Sequence, residues 1–401
     1  MRRTALLLLL TAALAGSPKL CRAQAESTQA AISSISRSSA VKADSPATSV
    51  QNPDPPGEQL PIEKLEFKSQ PPIPGAEASP AFVGPIVCSP DGIPFVDFLQ
   101  PPDYMRHVIY SLDPKGGHGF SPKAIPGLYD VQLQSYFASN SILGILIRAT
   151  ADDKKAQSPV PPGPGMPPAE VYVGAHQDYL AEFDKDGNFK QTVSLPPTYH
   201  FWRMAQLSDD TLLALAYDKT NSVPRLFLLD SKGEILHTLE IPARMKDSPQ
   251  LKLRVSGDES DRVAAQSSLS SWLFAPARDA ILLYQAHSTS PLLEVRAGGV
   301  VREVPLETPK AYSLDGVISA NDRWILRYRR ESLDGSSEID AKQGTNNYVL
   351  YEVSPSDGSL RAEIDPGSTA FFGLACEQNG VVTAFSTSGG QILPMTASLP
   401  N

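Results

Sequence analysis

Residues 201–217 read FWRMAQLSDDTLLALAY, and residues 226–241 read LFLLDSKGEILHTLEI. Each stretch contains two short segments rich in aliphatic and aromatic residues, separated by a turn that contains Asp, Ser or Gly. This pattern is typical of a β-hairpin. Two hairpins that follow each other directly predict one four-stranded antiparallel sheet, whose strands we label A to D in chain order.

The same pair of hairpins recurs along the chain. The first hairpin of each pair lies at residues 84–98, 131–148, 201–217, 272–285, 317–328 and 371–386. The second lies at residues 108–126, 179–195, 226–241, 292–305 and 349–364, and one further strand lies at 391–399. No run has a convincing helical period. We therefore predict an all-β protein, a six-bladed β-propeller of four-stranded antiparallel blades.

Several predicted strands are apolar along nearly their whole length, among them residues 143–147, 212–216 and 281–283. Such a strand is buried on both faces of its sheet, as in a blade that packs between two neighbours. A β-sandwich is the alternative fold. Its strands would alternate more regularly between apolar and polar residues, because one face of each sheet is wet.

Two stretches resemble the blade sequences of exported six-bladed propellers of the NHL or TolB-like kind: YLAEFDKDGNF at 179–189 and LFLLDSKGEI at 226–235. The resemblance covers roughly residues 82–399. It implies the propeller fold, but these stretches are hairpin turns and indicate almost nothing about activity. Some similar propellers hold a divalent cation at the mouth of the channel, so a metal-dependent lyase or lactonase is the alternative function.

The N-terminus predicts export. A basic start is followed by an apolar run that ends at Gly16, and this run is shorter than the ~20 residues that span a bilayer. Ala23-Gln24-Ala25 has the pattern of a cleavage site. We expect a signal peptide at 1–25, a disordered Ser/Ala/Pro-rich tether at 26–60, and the propeller at 61–401 with a Pro-rich loop at 150–170. The predicted location is periplasmic or extracellular.

The last blade lacks a fourth strand, and an orphan strand-like segment at 62–69 precedes the first blade. We predict that Leu65 and Phe67 pair antiparallel with residues 391–397 and close the ring with a strand from the other terminus. Cys88 and Cys376 lie at equivalent repeat positions. Such positions are usually further apart than a disulfide tolerates, so two buried free thiols are favoured over a bridge.

Composition and motifs argue against several function classes. The 401 residues include 35 Lys and Arg against 44 Asp and Glu, and a net charge of −9 disfavours nucleic acid as a partner. No segment beyond the N-terminus is predicted to span a membrane. Phosphate-binding loops, zinc motifs and nucleophile elbows are absent from the sequence. The stretch at 184–195 begins like a calcium loop but lacks its Gly and its bidentate Glu. We predict no cofactor, no metal and no catalytic residue.

Loop lengths favour one face of the propeller. The A–B and C–D turns are tight, whereas the B–C and D–A connections include the long insertions at 150–170, 242–271 and 329–347. Binding usually lies on variable loops of a rigid scaffold. Residues that open the A strands should ring the channel mouth on that face. The candidate ligand-binding residues are Asp130, His200, Trp202, Arg203, Trp272 and Tyr312.

His, Trp and Arg side chains together stack on and hydrogen-bond polar ligands. Packing between blades is the alternative role for Phe201 and Trp202. The predicted function is a binding or interaction module for a protein, a peptide or a carbohydrate, with no catalytic role assigned.

Overall fold

The structure is a computed structural model that describes residues 60–71, 83–100, 106–112, 119–120, 125–139, 141–158, 170–184, 186–242, 269–277, 279–288, 290–310, 312–320, 323–330, 348–367, 373–388 and 391–399. The predicted signal peptide and nearly all of the tether lie outside these residues. The Pro-rich stretch 159–169 and most of the insertions at 242–271 and 329–347 lie outside them as well.

Short strands make up nearly all of the regular structure in the described residues. In chain order they are β1 (Ile62–Lys64), β2 (Lys68–Ser69), β3 (Val83–Cys88), β4 (Pro94–Gln100), β5 (Arg106–Ser111), β6 (Gly119–Phe120), β7 (Tyr129–Ala138), β8 (Leu143–Thr150), β9 (Lys155–Gln157), β10 (Glu170–Tyr172), β11 (Gln177–Phe183), β12 (Phe189–Ser194), β13 (Tyr199–Gln206), β14 (Leu212–Asp218), β15 (Val223–Leu229), β16 (Ile235–Leu239), β17 (Trp272–Ala277), β18 (Ala280–Gln285), β19 (Leu292–Arg296), β20 (Val301–Val304), β21 (Tyr312–Ala320), β22 (Arg323–Arg330), β23 (Tyr348–Val353), β24 (Leu360–Asp365), β25 (Gly373–Gln378), β26 (Val381–Ser388) and β27 (Gln391–Ser398). A 3-10 turn spans Ala297–Gly299.

The strands form six antiparallel blades. Blades 1 to 5 have the orders β3-β4-β5-β6, β7-β8-β11-β12, β13-β14-β15-β16, β17-β18-β19-β20 and β21-β22-β23-β24, and blade 6 has the order β25-β26-β27-β2. This architecture confirms the prediction of an all-β, six-bladed propeller. Strand A of each blade is therefore β3, β7, β13, β17, β21 or β25. No helix in the described part of the chain is long and apolar enough to cross a membrane.

The chain divides into two compact units. The larger, at Ile62–Lys154, Tyr172–Arg330 and Asn346–Asn401, contains the six blades. The smaller comprises Met1–Pro61, Lys155–Val171 and Glu331–Thr345. Strand β9 lies in the smaller unit and pairs with β10 as a separate two-stranded sheet.

The core of the propeller is a set of apolar layers between neighbouring blades. Phe227 and Phe137 belong to the layer between blades 2 and 3, and Trp272 with Leu228 to the layer between blades 3 and 4. The sixth layer joins Phe98 of blade 1 to Phe385 of blade 6, so the ring is continuous. Both faces of the inner strands are buried in this way. This double burial explains why strands such as β8 and β14 are apolar throughout.

An N-terminal strand completes blade 6, as predicted. Lys68 pairs antiparallel with Thr396, and Ser69 pairs with Met395. The pairing residues differ from the prediction of Leu65 and Phe67. In addition, β1 runs parallel to β24 of blade 5, a contact that the sequence analysis did not predict.

Leu65 explains this difference, because it occupies the core between β1 and β2. Its side chain is only 1% exposed and packs with Ile325, Ile364 and Val382 of blades 5 and 6. The polar residues Lys68 and Ser69 instead take the exposed edge positions of the sheet. The N-terminal segment therefore ties blade 5 to blade 6 and also removes the free edge of β27.

Cys88 and Cys376 form a disulfide with their Cα atoms 5.6 Å apart, so the expectation of two free thiols is wrong. The expectation rested on the usual separation of equivalent repeat positions. Here both cysteines lie on strand A, where neighbouring blades approach most closely around the channel. Both strands also carry a register shift just before the cysteine or around it. The bridge joins the first blade to the last.

The hairpin turns use glycines at positive φ, as the Asp-Gly pattern predicts. Gly187 has φ 87° and Gly233 has φ 80°. Gly358 has φ 75°, and a Cβ there would lie 1.7 Å from the carbonyl oxygen of Pro305 in blade 4. Glycine at 358 thus permits both the turn and the close packing of two blades.

Candidate functional site

A cavity of about 320 Å³ lies in the channel at the centre of the propeller. Among the described residues its walls come from strand A of blades 1 to 5 and from residues of β18 and β22. Most of the wall is apolar, and Leu273, Phe274 and Val317 contribute to it. A concave, largely apolar pocket with a few polar groups is the usual form of a small-molecule site.

The cavity lies toward the ends of the A strands rather than their beginnings. Ser135–Ala138 line it from the last four positions of β7, and Arg203–Gln206 from the last four positions of β13. These strand ends lead into the tight A–B turns. The cavity is therefore nearer the face of the tight turns than the face of the long insertions.

Irregular pairing on the A strands directs two polar residues to the channel wall. The register of β13 shifts between Phe201 and Arg203, and that of β21 shifts between Leu314 and Gly316. Each shift inserts one extra residue, Trp202 or Asp315. Such bulges interrupt the alternation of side chains and re-aim them, and they are common next to binding sites.

Arg203 is the one charged residue of β13 and lines the cavity. Its Nε–H donates a 2.7 Å hydrogen bond to the carbonyl oxygen of Trp272. No carboxylate in the part of the chain that the structure describes forms an ion pair with it. Burial lowers the pKa of the Arg203 guanidinium, although guanidinium stays charged in proteins. The two terminal nitrogens are thus donors without a charged partner.

Asp315 and Arg327, both from blade 5, form an ion pair on the cavity wall. Both side chains are about nine-tenths buried, with 11% and 13% of their surface exposed. The guanidinium of Arg327 also lies 4.9 Å from the ring centroid of Tyr348, in cation–π contact. Among the described residues, a carboxylate therefore compensates the charge of Arg327, whereas none compensates that of Arg203.

Two buried tyrosines, Tyr136 and Tyr284, also line the cavity, and Ser135 and Gln206 are further polar residues of the wall. Burial raises the pKa of Tyr284 to about 12, so its hydroxyl keeps its proton at neutral pH. Burial also raises the pKa of Tyr136 well above its usual value, and the nearby Asp97 adds to this effect. The Tyr136 hydroxyl donates to the carbonyl oxygen of Phe95 at 3.2 Å.

His200 belongs to a buried polar network between blades 2 and 3. Arg148 Nη1 donates to His200 Nδ1 at 3.0 Å and to Asp178 Oδ1 at 3.3 Å. The backbone N–H of Phe201 donates to Asp178 Oδ2 at 2.7 Å. The side chains of Arg148, Asp178 and His200 are all buried. This arrangement suits a link between blades.

Trp202 and Trp272 pack in the layer between blades 3 and 4, and Trp272 is 1% exposed. Tyr312 packs against the layer between blades 4 and 5. Asp130, at the start of β7, has φ 49° and accepts a 2.9 Å hydrogen bond from His176 Nε2 near the surface. Of the six candidate residues named from the sequence, the structure places Arg203 on the cavity wall and the other five elsewhere.

Sequence reasoning missed Tyr284, Asp315 and Arg327. One signal was present, because Arg327 interrupts the otherwise apolar stretch WILRY at 324–328. A charge inside a strand that is buried on both faces needs a partner or a cavity. Within the described residues, no group of three His, Cys, Asp or Glu side chains is arranged to hold a metal ion.

A comparison with protein-family models finds no match, and none of the curated proteins matches the chain. Solved propellers are similar to it at low identity. Virginiamycin B lyase from Staphylococcus aureus is 10% identical, with 83% of this chain and 99% of that chain covered and a TM-score of 0.38. The PQQ-bound aldose sugar dehydrogenase from Streptomyces coelicolor is 11% identical, with 84% and 100% covered and a TM-score of 0.40.

The WD40 domain of Pan2 from Neurospora crassa is 9% identical, with 84% of this chain and 95% of that chain covered and a TM-score of 0.38. These three proteins include two enzymes and one WD40 domain. At such identities and scores the likeness carries no argument about activity.

Proposed function

We propose that this chain is an exported propeller of the NHL-like or TolB-like kind that acts as a binding module, and that its ligand enters the central channel. The ligand is a small molecule or the end of a peptide or carbohydrate chain. The observation that carries the proposal is Arg203, a cation without a carboxylate partner in the described residues, in a largely apolar channel.

A charge in an apolar cavity is costly unless a partner or water compensates it. If Arg203 had only a structural role, we would expect a carboxylate to pair with it, as Asp315 pairs with Arg327. The wall also offers apolar surface and a protonated tyrosine hydroxyl at Tyr284. This combination suits a ligand that has one polar end and an apolar body. No catalytic role is assigned.

Export is part of the same proposal. The basic and apolar N-terminus with Ala23-Gln24-Ala25 supports it, and so does the Cys88–Cys376 disulfide, since such bridges persist in oxidising compartments. Expression of the full chain followed by N-terminal sequencing of the exported protein tests it. Mature protein should begin at Glu26, and protein that keeps Met1 and remains in the cytoplasm would contradict export.

Gly316 offers a direct steric test of the channel. It lines the cavity, and the three atoms nearest to a Cβ there all belong to Arg327, at 3.6 to 3.8 Å. Alanine therefore fits with ordinary contacts, whereas Gly316→Phe places a ring against the cavity. A panel of amino acids, short peptides and small sugars is screened against both variants and the unmodified chain by thermal shift.

Ligands that stabilise the unmodified chain should stabilise Gly316→Ala to a similar degree and should not stabilise Gly316→Phe. Circular dichroism and the melting temperature of each free variant verify folding. Ligands that bind Gly316→Phe as well as they bind the unmodified chain would place the site outside the channel and overturn the proposal.

A further inference from the structure

We infer that the channel selects a ligand with a single carboxylate and an apolar body, and that the carboxylate binds the terminal nitrogens of Arg203. This inference rests on the proposed function, because it names the ligand class of the same channel. It follows from the charge count of the wall, the orientation of one guanidinium and the chemistry of the neighbouring groups.

The charge count of the wall favours a monoanion. Its charged residues among those described are Arg203, Asp315 and Arg327, and the last two form an ion pair. Among the described residues, the wall therefore has one uncompensated positive charge, in a protein whose formal net charge is −9. A neutral ligand leaves that charge unpaired. A phosphate dianion leaves a surplus negative charge against apolar walls, whereas a carboxylate balances the site.

The orientation of Arg203 favours a planar anion. Its Nε–H is held at 2.7 Å by the carbonyl oxygen of Trp272, a residue at the start of blade 4. The remaining edge of the guanidinium, with its two terminal nitrogens, has no acceptor among the described residues. Two parallel N–H donors match the two oxygens of a carboxylate, and such bidentate pairs are among the stronger hydrogen-bonded contacts in proteins.

Tyr284 adds a neutral donor to the same cavity wall. Burial raises the pKa of its hydroxyl to about 12, so the group keeps its proton and can donate a hydrogen bond to a ligand. A neutral donor stabilises an anion without changing the charge balance of the site. Leu273 and Phe274, on the adjoining part of the wall, are only partly buried and offer apolar surface to the rest of the ligand.

The experiment is calorimetric titration of the full chain with a matched set of probes. 3-Phenylpropanoate supplies the carboxylate and an apolar body, and 3-phenylpropanamide has the same shape without the charge. Phenethyl phosphate supplies a dianion. Two further probes are N-acetyl-Ala-Phe with a free C-terminus and the same peptide with an amidated C-terminus. They test whether the channel binds the carboxylate at the end of a peptide or only a free small acid.

The acid should bind about 10- to 100-fold more tightly than its amide, since charge-assisted hydrogen bonds differ from neutral ones by this order. The phosphate should bind more weakly than the acid. Arg203→Gln should lose the preference for acid over amide, and Arg203→Lys should recover part of it. Lys232→Gln removes one positive charge from an exposed turn and should bind as the unmodified chain does.

Equal binding of acid and amide would overturn the inference, and so would undiminished binding of the acid to a folded Arg203→Gln. Absence of binding by all carboxylate probes would also overturn it. If the carboxylate probes do not bind but ligands of another class bind the unmodified chain and not Gly316→Phe, the channel remains the binding site. Only the carboxylate inference then fails. Should Gly316→Phe retain every ligand, the proposed function itself fails.

Discussion

Removal of the Cys88–Cys376 disulfide should destabilise the propeller substantially. The bridge closes a loop of 288 residues. The chain-entropy relation for a closed loop of this length gives about 5.7 kcal/mol at 25 °C, and removal of a native disulfide from small secreted domains typically costs about 2–5 kcal/mol. We expect a loss of about 3–5 kcal/mol, below the full value, because the denatured chain retains some structure and the bridge therefore removes less entropy from it.

The double variant Cys88→Ala/Cys376→Ala provides the measurement. An unfolding entropy of roughly 2.1 cal/mol/K per residue, over roughly 340 propeller residues, converts this loss to a drop of about 4–7 °C in melting temperature. Differential scanning calorimetry of the variant and of the oxidised chain measures the drop. Reduced wild-type protein should melt close to the double variant, and this comparison separates loss of the bridge from loss of the cysteine side chains.

A thiol titration of the denatured full chain supplies the check on oxidation state. With the bridge formed, only Cys21 of the three cysteines reacts. Three reactive thiols in protein prepared without reductant, or a double variant that melts within 1 °C of the oxidised chain, would refute the reasoning about ring closure.

Three further predictions concern the rest of the propeller. Leu65→Ala should lower the free energy of unfolding, measured by urea titration, by about 2–5 kcal/mol, because it leaves a cavity at a buried position between blades 5 and 6. Ile62→Ala, at an exposed position, should change the free energy of unfolding little. Asp178→Ala should cost about 3–5 kcal/mol by leaving the buried Arg148 charge without its carboxylate, and an unchanged urea midpoint would argue against the network. Tyr284 has a folded pKa of about 12 against about 10 when unfolded, so its contribution is complete below pH 10 and is lost as the pH rises from about 10 to 12. Tyr284→Phe should therefore weaken the alkaline loss of stability, as measured by urea unfolding at several pH values.

The architecture was predictable because hairpin turns are local. Glycines in tight hairpin turns need positive φ, and Gly187 and Gly233 adopt it. Strands buried on both faces are apolar whichever blade they contact, so the repeat could be read without any knowledge of tertiary contacts. The N-terminal strand was predictable from the missing edge. Its exact partners were not, because Leu65 contacts two blades at once.

The channel was only partly predictable. The sequence pointed to Arg203 because it follows His200 and Trp202 at the start of a predicted A strand. Its position on the wall depends on the bulge at Trp202, which no local sequence signal marks. The pairing of Asp315 with Arg327 likewise follows the bulge on β21. The disulfide depends on how closely the A strands of blades 1 and 6 approach each other. All of these features arise from the closed ring and not from any single hairpin.

The central claim is that Arg203 in the channel is the anchor for the ligand. Nitrogen-15 NMR of arginine-labelled protein tests it most directly, through the Nε–H resonance that disappears in Arg203→Lys. Titration with 3-phenylpropanoate should shift this resonance and leave that of Arg225, a partly exposed arginine of blade 3 paired with Asp218, in place. Saturating ligand that shifts other resonances and leaves the Arg203 signal unmoved would contradict the account.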